Sequence, residues 1–123
     1  MGLTFDTGAL VGLERRHHRI RRVFAVAVQD EVRITIPNVV LTEWWRGRSD
    51  MREQILLAID VEPLTTSIAK VAGEAIAMIR GATAIDAIVM ASAASRGDTV
   101  YTSDFEDLER LQRFFPSVRL ASA

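Results

Sequence analysis

Short apolar segments alternate with longer amphipathic segments along most of the chain. Leu3–Phe5, Arg33–Ile36 and Thr99–Thr102 are short runs rich in apolar or β-branched residues, and each predicts a β-strand. Segments with apolar residues at helical spacing follow each of these runs. Because parallel strands need crossover connections of this kind, the alternation favours a parallel sheet with helices on both faces. The sequence therefore predicts a three-layer α/β/α fold.

The ends of the predicted elements follow from glycine, proline and capping residues. One predicted helix runs through Leu10 and Leu13 into an arginine-rich segment. The other predicted helices are 20–28, 50–59, 66–80, 84–95, one that Asn38 caps and Gly47 ends, and one that Asp104 caps; the other predicted strands are 61–64 and 118–120. Thr83 is the predicted cap of helix 84–95, and Gly97 is its predicted end.

The composition indicates one soluble domain. With 123 residues, of which 49% are hydrophobic, the chain suits one core and is too short for two, so residues 1–123 are expected to form a single domain. Its apolar stretches, such as 24–28 and 87–91, are far shorter than the roughly 20 residues of a membrane-spanning helix. No cysteine is present, which excludes thiolate metal sites and leaves oxygen or imidazole ligands. We expect a cytoplasmic protein without a membrane partner.

A formal net charge of -1 conceals a strongly basic segment. Its arginines and histidines are Arg15, Arg16, His17, His18, Arg19, Arg21 and Arg22. Because the planar guanidinium group suits phosphate as well as carboxylate, this segment is either a phosphate-contacting patch or a solvated helix face. Adjacent histidines on a helix point in diverging directions, so neither histidine is expected to be a catalytic base.

Four acidic residues fall where a predicted strand has just ended or a predicted helix is beginning. They are Asp6, Glu43, Asp86 and Asp104. Each alone has an ordinary explanation, because Asp is a favoured helix cap, Glu usually lies on the surface, and an acid in a first helical turn complements the helix dipole. Together they mark one edge of a parallel sheet, where the carboxyl ends of the strands converge.

Such a cluster of carboxylates predicts a metal site. Like charges at short range repel one another unless a cation neutralises them, and Mg²⁺ and Mn²⁺ both prefer oxygen ligands. Asp6 and Asp104 become neighbours if the strands before them pair, and Thr102 or Ser103 could orient a carboxylate or a bound water. An all-oxygen site of this kind suits phosphoryl chemistry.

Four short motifs occur in an order that resembles a known family. They are Leu3-Thr4-Phe5-Asp6-Thr7, Leu41-Thr42-Glu43-Trp44-Trp45-Arg46-Gly47, Ile85-Asp86-Ala87-Ile88 and Val100-Tyr101-Thr102-Ser103-Asp104. Together they span almost the whole chain and resemble a PIN-domain ribonuclease of the VapC toxin type. The resemblance implies that the four acids bind the catalytic metal, and it matches Thr102 to the hydroxyl residue two places before the last acid. Asp107 is a further acidic neighbour.

One position departs from the family pattern. The family often has Ser or Asn two residues after its first acid, whereas this chain has Gly8. The supporting polar contact that such a residue makes is therefore either absent or supplied by Thr7.

The resemblance also implies an architecture, an activity and partners. The implied sheet order is 3-2-1-4-5, and the implied assembly is a homodimer with a VapB-like antitoxin whose tail occupies the active-site groove. The implied activity is that of an Mg²⁺- or Mn²⁺-dependent endoribonuclease, the toxin of a type II toxin-antitoxin system, with tRNA a frequent target class. Five arginines are candidate RNA contacts: Arg15, Arg19, Arg22, Arg46 and Arg48.

Two other classes of protein also fit parts of the sequence. A receiver-like signalling domain gathers acids at strand ends, but it needs a lysine after a late strand, and the only lysine, Lys70, falls in a predicted helix. A non-catalytic interaction module of the same fold could use Trp44 and Trp45 as interface anchors. Core packing accounts for Trp44 more simply, because it shares a helical stripe with Val40.

Overall fold

A five-stranded, fully parallel sheet forms the centre of the protein in a computed structural model that describes residues 1–123. The strands are β1 (Leu3–Phe5), β2 (Ile34–Pro37), β3 (Asp60–Glu62), β4 (Thr99–Thr102) and β5 (Arg119–Ser122). Their order is β3-β2-β1-β4-β5, and every neighbouring pair is parallel. The predicted sheet order is therefore confirmed, and β1 and β4 lie side by side at its centre.

Seven helices cover the sheet. They are α1 (Thr7–Glu14), α2 (His18–Gln29), α3 (Asn38–Trp44), α4 (Asp50–Leu57), α5 (Thr66–Met78), α6 (Ala84–Arg96) and α7 (Phe105–Leu111). The most deeply buried is α6, in which every residue from Ala87 to Ala93 is buried. Its small side chains let the helix approach the sheet closely, and its core neighbours include Phe5, Ile36 and Val100. None of the helices has the length and apolar character needed to cross a membrane.

The structure corrects three predicted helix ends. The first helix does not continue into the arginine segment, because it ends at Glu14 and Arg16 adopts a left-handed conformation with φ 61 that turns the chain. Asn38 is the first helical residue and not a cap, since the preceding Pro37 is extended and leads directly into α3. That helix ends at Trp44, before Gly47. The other elements differ from prediction by a few residues at their ends.

A buried polar network joins the strands at the amino end of the sheet. The Asp98 carboxylate is 4% exposed and accepts hydrogen bonds from the backbone N–H of Gly2 (2.8 Å), the Thr4 hydroxyl (2.8 Å) and Arg96 Nε (2.9 Å). Arg96 also pairs with Glu62 of β3. Because each charge in this network has a partner, the network fits a structural role that ties α6 to β1, to β3 and to the residue before β4.

Candidate active site

A polar cleft of about 810 Å³ opens at the carboxyl ends of β1 and β4. Only four of its sixteen lining residues are hydrophobic. All four predicted acids line it, together with three of the predicted supporting residues: Asp6, Glu43, Asp86, Asp104, Thr7, Ser103 and Asp107. The fold therefore brings together residues that lie far apart along the sequence.

Asp6 is the most buried acid in the cleft. It directly follows β1 and caps α1, because its Oδ1 accepts a hydrogen bond from the backbone N–H of Ala9 at 2.9 Å. Burial raises its pKa to about 6, hydrogen bonds from Thr102 and Ala9 lower the pKa in part, and the charges of Asp104 and Asp86 raise it further. Capping and a place in the cleft are therefore two roles of the same carboxyl group.

Asp86 enters the cleft from the first turn of α6. The predicted cap of this helix is confirmed, because the Thr83 hydroxyl oxygen accepts from the backbone N–H of Asp86 at 3.2 Å. Burial is the main cause that raises the pKa of Asp86, and the negative charges of Asp107, Asp104 and Glu43 also raise it. These carboxylates are therefore close enough to Asp86 for their charges to affect its ionisation.

The other two acids lie at the exposed rim of the cleft. Glu43 stands in the last turn of α3, and its Oε1 accepts a hydrogen bond from the Thr7 hydroxyl at 2.5 Å. Asp104 occupies the predicted cap position before α7, but its side chain makes no capping hydrogen bond. Its backbone N–H donates to Oγ1 of the buried Thr102 at 2.8 Å. The Asp104 carboxylate itself has no hydrogen-bond or salt-bridge partner in the chain.

The side chains in the cleft fit a hard divalent cation. The acidic donors are all oxygen atoms, and a bound cation would offset the burial and the mutual repulsion that together raise the pKa of Asp6 and Asp86. No group of three or more acidic or histidine side chains is drawn together closely enough to hold a metal ion as it stands. Binding would require the exposed carboxylates of Glu43 and Asp104 to move toward those of the buried Asp6 and the half-buried Asp86.

Of the arginines predicted to contact RNA, only Arg15 lines this cleft. Arg46 is on the surface beside it, with its Nε donating to the Glu43 carbonyl oxygen at 2.9 Å. Arg48 pairs with Asp50 at 3.5 Å, and Arg22 borders a separate, mainly apolar cleft. The fifth, Arg19, is exposed on α2.

Sequence reasoning did not place His17 in the cleft. The turn at Arg16 positions His17 before α2, where its backbone N–H donates to the Gly12 carbonyl oxygen at 2.8 Å, and its side chain lines the cleft beside Arg15. The only local signal was the run of cationic residues, which does not reveal where the helix breaks.

The residues on which the other two classes of protein depend lie elsewhere. Lys70 is exposed on α5 and does not line the cleft, so the lysine of a receiver-like site has no counterpart there. Trp44 is 2% exposed and belongs to the core, which removes it as an interface anchor.

The fold occurs in solved structures of VapBC complexes. A chain of VapBC2 from Rickettsia felis, bound to a promoter DNA fragment, matches with a TM-score of 0.80 and 13% identity over 100% of this chain and 99% of that chain. A chain of DNA-bound VapBC from Salmonella typhimurium matches with a TM-score of 0.73 and 20% identity over 99% of this chain and 98% of that chain. PAE2754 from Pyrobaculum aerophilum matches with a TM-score of 0.58 and 20% identity over 94% of this chain and 96% of that chain.

This chain therefore shares the fold of these proteins. The PIN-like fold that the sequence motifs predict is confirmed by these likenesses and by the sheet order. No model of a known protein family matches the sequence, and no curated protein matches it either.

Proposed function

We propose that this chain is a metal-dependent endoribonuclease and the toxin of a type II toxin-antitoxin system. The observation that carries the proposal is the meeting of Asp6, Glu43, Asp86 and Asp104 in one polar cleft, where mutual repulsion helps to raise the pKa of two of them. The likeness to chains of VapBC complexes supports the toxin assignment.

The four acids have different roles according to how deep they lie in the cleft. Asp6 and Asp86 are held in place by their positions at helix starts, so they provide the rigid side of the metal site. Glu43 and Asp104 complete the site from the rim. The cation, Mg²⁺ or Mn²⁺, would polarise the scissile phosphate and lower the pKa of an attacking water.

The supporting residues hold the acids and the substrate. Thr7 donates to Glu43 and so fixes that carboxylate, and the Thr102 hydroxyl lies near Asp6, where it lowers the pKa of the carboxyl group. Asp107 adds negative charge next to Asp86. Arg15 lies in the wall of the cleft, where its guanidinium would hold a phosphate of the RNA near the metal.

The proposal includes partners and context that come from the family resemblance. The chain acts as one domain and as a homodimer in the cytoplasm, and a VapB-like antitoxin inhibits it by placing its tail in the active-site groove. Its substrate is RNA, with tRNA as the first target class to test. The VapBC complexes of similar fold support the antitoxin as a partner.

Substitution of the two less exposed acids tests the activity. Asp6→Asn and Asp86→Asn should each lower Mg²⁺-dependent cleavage of RNA by about 100-fold or more, because each removes a charged ligand. Cleavage rates with Mg²⁺ and with EDTA, together with circular dichroism spectra to verify folding, measure this effect.

A matched variant controls for the loss of a surface charge. Asp30→Asn changes an exposed aspartate just after α2, so its cleavage rate should equal that of the wild-type protein. Folded Asp6→Asn and Asp86→Asn proteins that both cleave RNA at the wild-type rate would refute the proposed site.

A further inference from the structure

Gly8 and Ser103 compete for the same space beside Asp6. Gly8 lies in the first turn of α1, and Ser103 follows the last residue of β4. A Cβ atom added to Gly8 would lie 1.8 Å from Ser103 Oγ and 2.9 Å from Ser103 Cβ. Both distances are far below van der Waals contact, so no side chain fits at position 8 while Ser103 keeps its place.

The backbone itself does not require glycine at position 8. Gly8 is not among the glycines with positive φ, and its helical conformation is open to any L-residue. Glycine is also a poor helix former compared with alanine. The feature that glycine permits here is therefore the close approach of the Ser103 hydroxyl to the start of α1.

The Ser103 hydroxyl has no partner within the protein. The adjacent groups are paired with each other, because the Asp104 N–H donates to Thr102 Oγ1, whereas Ser103 Oγ is exposed and lines the cleft. The added Cβ that would overlap Ser103 Oγ also lies 3.5 Å from Asp6 Oδ1. Ser103 Oγ and Asp6 Oδ1 therefore border the same space at the start of α1, which is where a water molecule that bridges them would lie.

We propose that Gly8 and Ser103 act as one unit that positions a water molecule in the cleft. Gly8 leaves the space, and the water donates one hydrogen to the Ser103 hydroxyl oxygen and the other to the Asp6 carboxylate. This inference rests on the proposed function, in which that water would belong to the hydration shell of a cation held by the four acids. Thr7 does not fill this role, because its hydroxyl is bonded to Glu43.

Thermal unfolding of the metal-free protein tests the shared space. Gly8→Ala should lower Tm by several degrees through its clash with Ser103, and Ser103→Gly alone should change Tm little. The double variant Gly8→Ala/Ser103→Gly should recover the wild-type Tm or exceed it, because alanine favours the helix once the space is free. Additive effects of the two substitutions would overturn the inference, whatever the activity of the protein.

Metal binding and kinetics test the positioning role. Ser103→Ala should weaken Mn²⁺ binding in calorimetry by about tenfold and lower kcat for RNA cleavage with KM unchanged. Gly8→Ser/Ser103→Gly should restore much of both, because it returns a hydroxyl from the α1 side. Ser117→Ala, at another exposed serine outside the helices and strands, should leave both unchanged.

The outcomes separate this inference from the proposed function. A Ser103→Ala protein with wild-type Mn²⁺ affinity and wild-type kcat overturns the positioning role and leaves the four-acid site intact. A wild-type protein that neither binds Mn²⁺ nor cleaves RNA overturns the proposed function and, with it, the role of the bridging water.

Discussion

Asp6 links the start of a helix to the chemistry of the cleft. It caps α1 through Ala9 and at the same time presents a carboxyl group that is only 5% exposed next to other acids. An ionised carboxylate in such a place is costly unless a cation accompanies it, and burial raises the pKa of Asp6 to about 6 for this reason. In the absence of metal, this residue therefore lowers the stability of the protein near neutral pH.

The pH dependence of stability should reveal this cost. Because the pKa of Asp6 rises from 3.8 to about 6 on folding, the folded state binds the proton more tightly than the unfolded state. The contribution of Asp6 to the free energy of unfolding is thus fully favourable below pH 3.8 and falls as the pH rises from there through about 6. At higher pH the contribution no longer changes. At pH 8 in EDTA, Asp6→Asn should be more stable than the wild-type protein by up to about 3 kcal/mol.

Urea unfolding at pH 5 and pH 8 measures this difference. The asparagine retains a side-chain oxygen that can accept from Ala9, so the cap itself is preserved. Asp30→Asn should show the wild-type pH dependence. An Asp6→Asn protein that is less stable than the wild-type protein at pH 8 would contradict this description of Asp6.

At the scale of elements, α6 shows how far local signals determine a helix. Thr83 caps it, and Gly97 ends it in the left-handed conformation with φ 71, as their positions in the sequence predict. A Cβ atom at Gly97 would meet only Met1 Cγ at 3.7 Å, which is ordinary contact. Any cost of alanine there therefore comes from the backbone conformation.

Two glycine-to-alanine substitutions should have opposite effects on stability. Gly97→Ala should lower the free energy of unfolding by about 1 kcal/mol, because alanine is strained at positive φ. Gly73 lies within α5 with open space around it, so Gly73→Ala should raise the free energy of unfolding by up to about 1 kcal/mol. Urea unfolding of both variants tests this, and equal signs would contradict the helix boundaries described above.

Other elements depend on contacts that the sequence does not display. The residues from Arg15 to His17 carry no glycine or proline, yet the chain turns there, because Arg16 adopts a positive φ and His17 bonds back to Gly12. The four acids could be predicted because strand ends meet at one edge of a parallel sheet. The overlap of Gly8 with Ser103 could not, since it depends on atomic distances between segments that are far apart in the sequence.

At the scale of the whole molecule, the two ends of the sheet carry different kinds of polar cluster. In the cluster around Asp98, which precedes β4, Arg96 pairs with the carboxylates of both Asp98 and Glu62. At the carboxyl end, Asp6 and Asp86 face other acids and have no cationic partner in a salt bridge. Each carboxylate of the first cluster has a cationic partner within the chain, whereas those of the second have none, which suits a cation bound from outside the chain.

Calorimetric titration with Mn²⁺ tests this central claim most directly. The wild-type protein should bind Mn²⁺, and Asp6→Asn and Asp86→Asn should each weaken that binding by about tenfold or more, while Asp30→Asn binds as the wild-type protein does. Wild-type protein that shows no Mn²⁺ binding, or acid variants that bind Mn²⁺ as tightly as the wild-type protein, would contradict the assignment of the cleft as a metal-dependent active site.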